Sequence, residues 1–272
     1  EQLAATHSQN LEVWYAHVPG LKVVMPSTPA DAKGLLAASI RDNDPVMFIE
    51  HLALYNTKGE VPTGDYVTEI GKAAITKEGT DITLISYSRM AAVALDVAKR
   101  LEEDEGVSAE VVDLRSLRPL DRETILASVR KTNKAIVLEE DWLSYGVGAE
   151  IAATIQEGAF DYLDAPVRRV AAAEIPLPYS KPLELAALPD ATALLKVIHE
   201  TLDATRFRGL EDIVLDTSNR DPSLARAVVG ASLYRALNLP AARVGLAAIA
   251  VDGAAAGNGL VVEVVEGRAA KR

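Results

Sequence analysis

Four histidines, the three carboxylates at 139–141, a glycine-rich turn and an Asp-Asn-Asp segment are the features of this chain with the means to do chemistry. His7 stands in "AATHSQNLEV", between the small hydroxyl residues Thr6 and Ser8, a setting whose purpose the local sequence leaves open. His17 precedes Val-Pro-Gly and reads as a turn residue. His51 closes the apolar run "PVMFIEH", at the kind of strand end where catalytic groups of parallel sheets collect. His199 falls in a final helix and reads as a surface residue. No two of the four have the spacing of a zinc-binding pair. Glu139, Glu140 and Asp141 follow an apolar run and form either a metal or acid–base cluster or, more commonly for consecutive carboxylates, a solvated edge. "YGVGAEI" (145–151) resembles a phosphate-binding glycine turn, with Ile151 in place of the third glycine; tight packing explains it equally well. "SIRDNDP" (39–45) offers two carboxylates and free carbonyls, which suit a hard cation or a plain turn. By themselves these residues make no complete active site.

The elements around them alternate. "LKVVMPS" (21–27) is predicted as a strand, Thr28 as the cap of a helix with Pro29 in its first position, and 45–51 as a second strand parallel to the first. Residues 52–70 read as loop and mark a domain boundary. The alternation then restarts. Strands are predicted over 81–88, 109–116, 134–141 and 166–173, with helices over 89–104 (ending near Gly106), 121–131 and 146–162. Residues 175–184 carry three prolines and read as an irregular surface segment, followed by a helix over 190–202. Such an order implies an open, mostly parallel sheet flanked by helices. In the tail, 203–212 reads as a linker, followed by a strand "DIVLD", a helix from Pro222 to Leu237 and two strands around 252–259.

Bulk properties narrow the classes of function. The formal charge of −11 argues against nucleic acid and against an anionic membrane surface. With no cysteine there are no disulfides and no thiolate metal sites. The longest apolar runs fall short of the roughly 18 residues of a membrane helix, and no signal peptide is visible. A cytoplasmic, bacterial setting is the expectation, and the start at Glu1 suggests a fragment or a processed chain.

Residues 2–202 resemble, as a whole, the beta subunit of the decarboxylating component of 2-oxo-acid (pyruvate) dehydrogenase complexes. The likeness is carried by "THSQNLEVWYAHVPGLKVVMPSTPADAKGLLAASIRDNDPVMFIEH", "DLRSLRPLD", "VLEEDW", "GVGAEIAA" and "APVRRVAAAEIPLPYSKPLE", in collinear order. The resemblance implies an α/β fold. Residues 1–66 would be the second half of a pyrimidine-binding α/β domain. Residues 67–202 would be a transketolase C-terminal-type α/β/α domain, and 203–272 a linker and small α+β tail.

It also implies function. Members bind thiamine diphosphate and magnesium between alpha and beta subunits, decarboxylate a 2-oxo acid and pass the acyl group to a lipoyl arm. Implied partners are the alpha subunit, a second beta subunit and the subunit-binding domain of dihydrolipoyl acyltransferase, with neither nucleic acid nor membrane. His7 matches the family histidine that orients or protonates the intermediate, a role suited to an imidazole. Ser39, Ile40, Asp42 and Asp44 match a potassium-binding stretch that works largely through backbone carbonyls; Asp44 stands where some members have asparagine. Tyr145 falls where the family often has glycine. The cofactor-activating glutamate lies in a family segment upstream of the matched residues, so this chain alone is expected to be inactive. Acetoin or a branched-chain 2-oxo acid is an alternative substrate, and a non-catalytic assembly module an alternative role. The tail, 205–267, resembles the N-terminal lobe of the spore-coat (CotH-type) kinase family through its Asp-Pro start, Arg226, "NLPAAR", the turn at Asp252–Gly253 and "LVVE" ending at Glu263. The chain stops before that family's catalytic region, so no phosphoryl transfer is expected.

Overall fold

The computed structural model describes residues 7–203 and the backbone of 244–251 and 254–262. Its elements follow the hydrophobic pattern closely. Helix α1 (Glu12–Ala16) precedes β1 (Lys22–Val24), α2 (Pro29–Arg41) and β2 (Val46–Phe48). Thr28 caps α2 by accepting a bond from the Asp31 N–H (3.1 Å), and Pro29 takes the first helical position, where its missing donor costs nothing. β1 and β2 are parallel, as the intervening helix requires.

After a loop with one 3-10 turn (Leu52–Leu54) come β3 (Ala74–Lys77), β4 (Ile82–Ser86), α3 (Ser88–Glu105), β5 (Ala109–Asp113), β6 (Ser116–Arg118) and α4 (Arg122–Thr132). β7 (Ala135–Trp142), α5 (Val147–Ala159), β8 (Arg168–Ala172), α6 (Lys181–Ala187) and α7 (Ala191–Asp203) complete the series. Five strands form one sheet in the order β3-β5-β4-β7-β8; all are parallel except the antiparallel edge strand β3. Gly106 ends α3 in the left-handed region (φ 66°), the conformation a helix C-terminus commonly demands.

Cores form on both faces of this sheet. Ile85, Val112 and Val137 pack with Ile125, Val129, Ile151 and Ile155 on one face. Leu84, Val111, Ile136 and Leu138 pack with Met90, Leu101, Leu194 and Ile198 on the other. The alternation along each strand assigns its residues to the two faces.

Three elements depart from expectation. The run 109–116 is two strands, not one. Arg115 adopts φ 58°, and β6 leaves the five-stranded sheet to pair antiparallel with β1. Edge strand β3 carries little apolar signal because it is only half-buried. The segment 175–184 is only partly irregular: Lys181–Ala187 is helical, its proline sits in the first turn, and Leu177 is buried.

Residues Glu1–Leu202 form one compact unit and Asp203–Arg272 a second. In the second, β9 (Val244–Val251) and β10 (Ala254–Val262) pair antiparallel on either side of 252–253. The linker, strand and helix expected over 203–243 lie almost wholly outside the described residues, as does most of the segment expected to form a kinase-type lobe.

Candidate functional site

The carboxyl ends of adjacent parallel strands gather the reactive side chains, the usual place for ligands in open α/β sheets. Tyr87 directly follows β4, and Glu139, Glu140 and Asp141 lie in the last half of β7. The three carboxylates are not a solvated edge. Glu139 is 0%, Glu140 9% and Asp141 2% exposed, because β7 is a central strand with helices on both faces.

Alternation splits the trio. Glu139 Oε2 accepts from the Gly148 N–H (2.7 Å) and lies 3.3 Å from the Tyr87 hydroxyl, which also meets Glu12 Oε1 at 2.9 Å. Burial pushes Glu12 and Glu139 each up to about 7, and burial also raises Asp141. Tyr87 is pushed well up by burial and by the neighbouring carboxyls Glu12 and Glu139. Glu140 points the other way, to His51 Nε2 (2.9 Å) and to the Arg89 guanidinium. Burial alone would raise Glu140, but these partners hold it below the usual carboxylate range. His51 Nδ1 accepts from the Ala53 N–H (3.1 Å), so its other nitrogen carries the proton shared with Glu140. Both ring nitrogens are thus engaged, and His51 joins the loop 51–57 to β7.

The glycine turn serves the same cluster. Gly146 precedes α5, and a Cβ on Gly148 would overlap the Glu139 carboxylate. The anion seated in the first turn of α5 is therefore this chain's own side chain. Tyr145 is 91% exposed with φ 64°.

His7 is exposed, at the head of a segment held by its neighbours. Gln9 Oε1 accepts from the Leu177 N–H (3.2 Å), while Ser8 Oγ and Gln9 Nε2 are buried without a partner among the described residues. The potassium-site candidates lie elsewhere, beyond α2. Asp42 and Asp44 both engage the Lys22 ammonium, at 2.7 and 3.1 Å, and that bond lowers Asp42. Ser39 donates to the Leu35 carbonyl (2.7 Å), and Ile40 is 76% exposed. His17 is exposed at the end of α1, and His199 is exposed and paired with Glu105 (3.0 Å). Glu12 and Tyr87 carry no mark in the sequence that singles them out. Only a glutamate in an otherwise apolar-faced turn hints at burial.

Residues 1–58 match the family "Transketolase, pyrimidine binding domain" and 71–194 match "Transketolase, C-terminal domain". The chain thus combines these two transketolase-type domains. A solved structure described as "Split gene transketolase, inactive beta4 tetramer" aligns with TM-score 0.60 and 26% identity, over 72% of this chain and 61% of that one. Among curated proteins, the beta-2 subunit of the pyruvate dehydrogenase E1 component from Oryza sativa subsp. japonica is 49% identical over 198 residues, 71% of this chain and 52% of that protein. The corresponding beta subunit of Saccharomyces cerevisiae is 47% identical over 204 residues, 74% of this chain and 56% of that protein. That of Rhizobium meliloti is 46% identical over 198 residues, 72% of this chain and 43% of that protein. Over these residues the chain is similar to pyruvate dehydrogenase E1 beta subunits. It spans about half the length of the curated relatives it matches. Among the described residues no helix is long and apolar enough to cross a membrane.

Proposed function

We propose that this chain supplies the beta side of a thiamine-diphosphate-dependent 2-oxo-acid dehydrogenase acting on pyruvate, with His7 as its reacting group. The observation that carries the reading is His7 itself: an exposed imidazole heads a segment tied to the second domain, within the residues 1–58 that match a pyrimidine-binding domain. An imidazole titrates near neutral pH, so it can orient the acyl group and hand over a proton as that group passes to a lipoyl arm.

The described residues do not fit magnesium: no three His, Cys, Asp or Glu side chains among them stand close enough to hold a metal. The reading therefore assigns magnesium and the cofactor's diphosphate to the alpha subunit and routes no step through them here. Potassium, if held at Ser39, Ile40, Asp42 and Asp44, would be bound through main-chain oxygens, because the Lys22 ammonium already engages both carboxylates.

The test reconstitutes the full chain with an alpha subunit and the part of a related beta subunit that this chain does not span. Pyruvate-dependent electron transfer is then measured. Replacing His7 by alanine is expected to slow turnover roughly 10²–10⁴-fold, the usual weight of a general acid–base group. Unchanged turnover would remove His7 from the reaction, and preference for acetoin or a branched-chain acid would move the substrate.

A second reading is favoured by the solved relative described as an inactive beta4 tetramer. Here the chain acts as an assembly module, its C-terminal domain contacting a second copy and a subunit-binding domain of the acyltransferase. The net charge of −11 suits a basic partner helix. Failure to bind an acyltransferase fragment would count against it. The kinase-like tail enters neither reading.

A further inference from the structure

The segment behind His7 is pinned at several points. Gln9 bonds to Leu177, Arg118 Nη1 donates to the Ala16 carbonyl at the end of α1 (2.8 Å), and Val13, Tyr15 and Ala16 pack against the core. Between these ties, Glu12 is buried with its carboxyl on the Tyr87 hydroxyl.

Counting hydrogens assigns a proton. A tyrosine hydroxyl donates once and accepts with its lone pairs. This one lies within bonding reach of two carboxyl oxygens, Glu12 Oε1 at 2.9 Å and Glu139 Oε2 at 3.3 Å. With both carboxyls ionised, only one contact would be a hydrogen bond, and two buried anions would face each other. Each carboxyl also accepts one backbone N–H, Glu139 Oε2 from Gly148 (2.7 Å) and Glu12 from its own residue, and Glu139 Oε1 is buried without a partner among the described residues. At least one proton therefore stays on the pair, and the Glu12 carboxyl is the one that leaves when α1 undocks. With the proton on Glu12 the chain runs from its O–H to the Tyr87 oxygen, and from Tyr87 O–H to Glu139 Oε2.

We infer that Glu12, Tyr87 and Glu139 form a proton-dependent latch that docks α1 and so positions His7. Its consequence for catalysis rests on the role proposed above for His7, but its existence does not. The upward shift of both glutamates by burial agrees with a proton retained at neutral pH.

The other charged groups around the latch are engaged elsewhere or reinforce it. Asp141 on β7 adds negative charge that favours protonation, and Arg169 on β8 opposes it at Glu139 while donating to the Leu143 carbonyl (2.6 Å). α1 packs on β1 and α5. Their Lys22 and Glu150 are held by Asp42 with Asp44 and by Arg122, respectively. Among the described residues no cation forms an ion pair with Glu12 or Glu139.

The sign follows from linkage. In the docked state Glu12 keeps its proton up to about 7, and once released it returns toward 4.5. Docking is therefore strongest below 4.5, weakens as pH rises from there to about 7, and is level above. One proton makes release about tenfold easier per pH unit in that window.

Hydrogen exchange of the full chain, corrected for intrinsic rates, tests this. Opening of the amides over 8–17 should grow by up to about a hundredfold between about pH 5 and 7, while amides of β4 and β7 hold. Glu12→Gln, which keeps the neutral shape, should abolish the dependence. Tyr87→Phe should open the segment even at the acid end. A flat wild-type profile, or equal pH dependence in Glu12→Gln, overturns the latch. His7→Ala should leave the exchange profile unchanged, so loss of the catalytic reading and loss of the latch are separately visible.

Discussion

The strands before residue 66 and those after it are buried to different depths. β4 and β5 are buried at every position, whereas β2 is half-buried throughout and β1 is buried at two of its three residues. The later sheet is covered by helices on both faces and holds its own core. The earlier pair recruits β6 to make a third strand and packs Val23 and Met25 into the core of its neighbour. The join between them is polar and buried: Ser27 bonds to Asp113, Arg115 meets Asp31 at 3.0 Å, and His51 meets Glu140 at 2.9 Å. Apolar burial thus dominates the second region, while the first is held upon it by Val23 and Met25 in a shared core and by these directional contacts.

The largest expected effect tests the deeper core. Leu84→Ala removes a fully buried side chain and should cost about 2–5 kcal/mol, read as a lower denaturant midpoint for the whole unit. Met47→Ala on half-buried β2 should cost much less; equal losses would erase the contrast. The join comes next. Burial pushes Asp113 up to about 6 from 3.8, against the bond from Ser27, so its contribution is full below 3.8 and is lost as pH rises through about 6. Asp113→Asn should flatten the fall in stability across that window by on the order of 2–3 kcal/mol, checked by denaturation at several pH values. Identical slopes in the two proteins would mean that Asp113 does not titrate there. The smallest effect belongs to the first region. Thr28→Ala removes the cap of α2 and should cost about 1 kcal/mol, with faster exchange confined to that helix.

How much of this was legible depended on whether a signal was local. Thr28 and Pro29 announced α2, Gly106 the end of α3, and the Val- and Ile-rich runs the parallel strands, because capping and periodicity are short-range properties. β6 was hidden inside a continuous apolar run, since only the backbone turn at Arg115 separates it from β5. The carboxylate trio was misjudged for a related reason: consecutive acids look solvated until the strand bearing them proves central. His7 was visible through family motifs, but Glu12 and Tyr87, 75 residues apart, meet only after folding.

The sequence by itself determined the alternation of the main strands and helices, the likeness to a family, and the histidine worth testing, because these reside in composition, spacing and motif. Tertiary structure alone decided which acids lose water and which charges meet. Desolvation and pairing depend on neighbours brought from distant parts of the chain, so the proton held between Glu12 and Glu139 is a property of the packed assembly rather than of any stretch of residues.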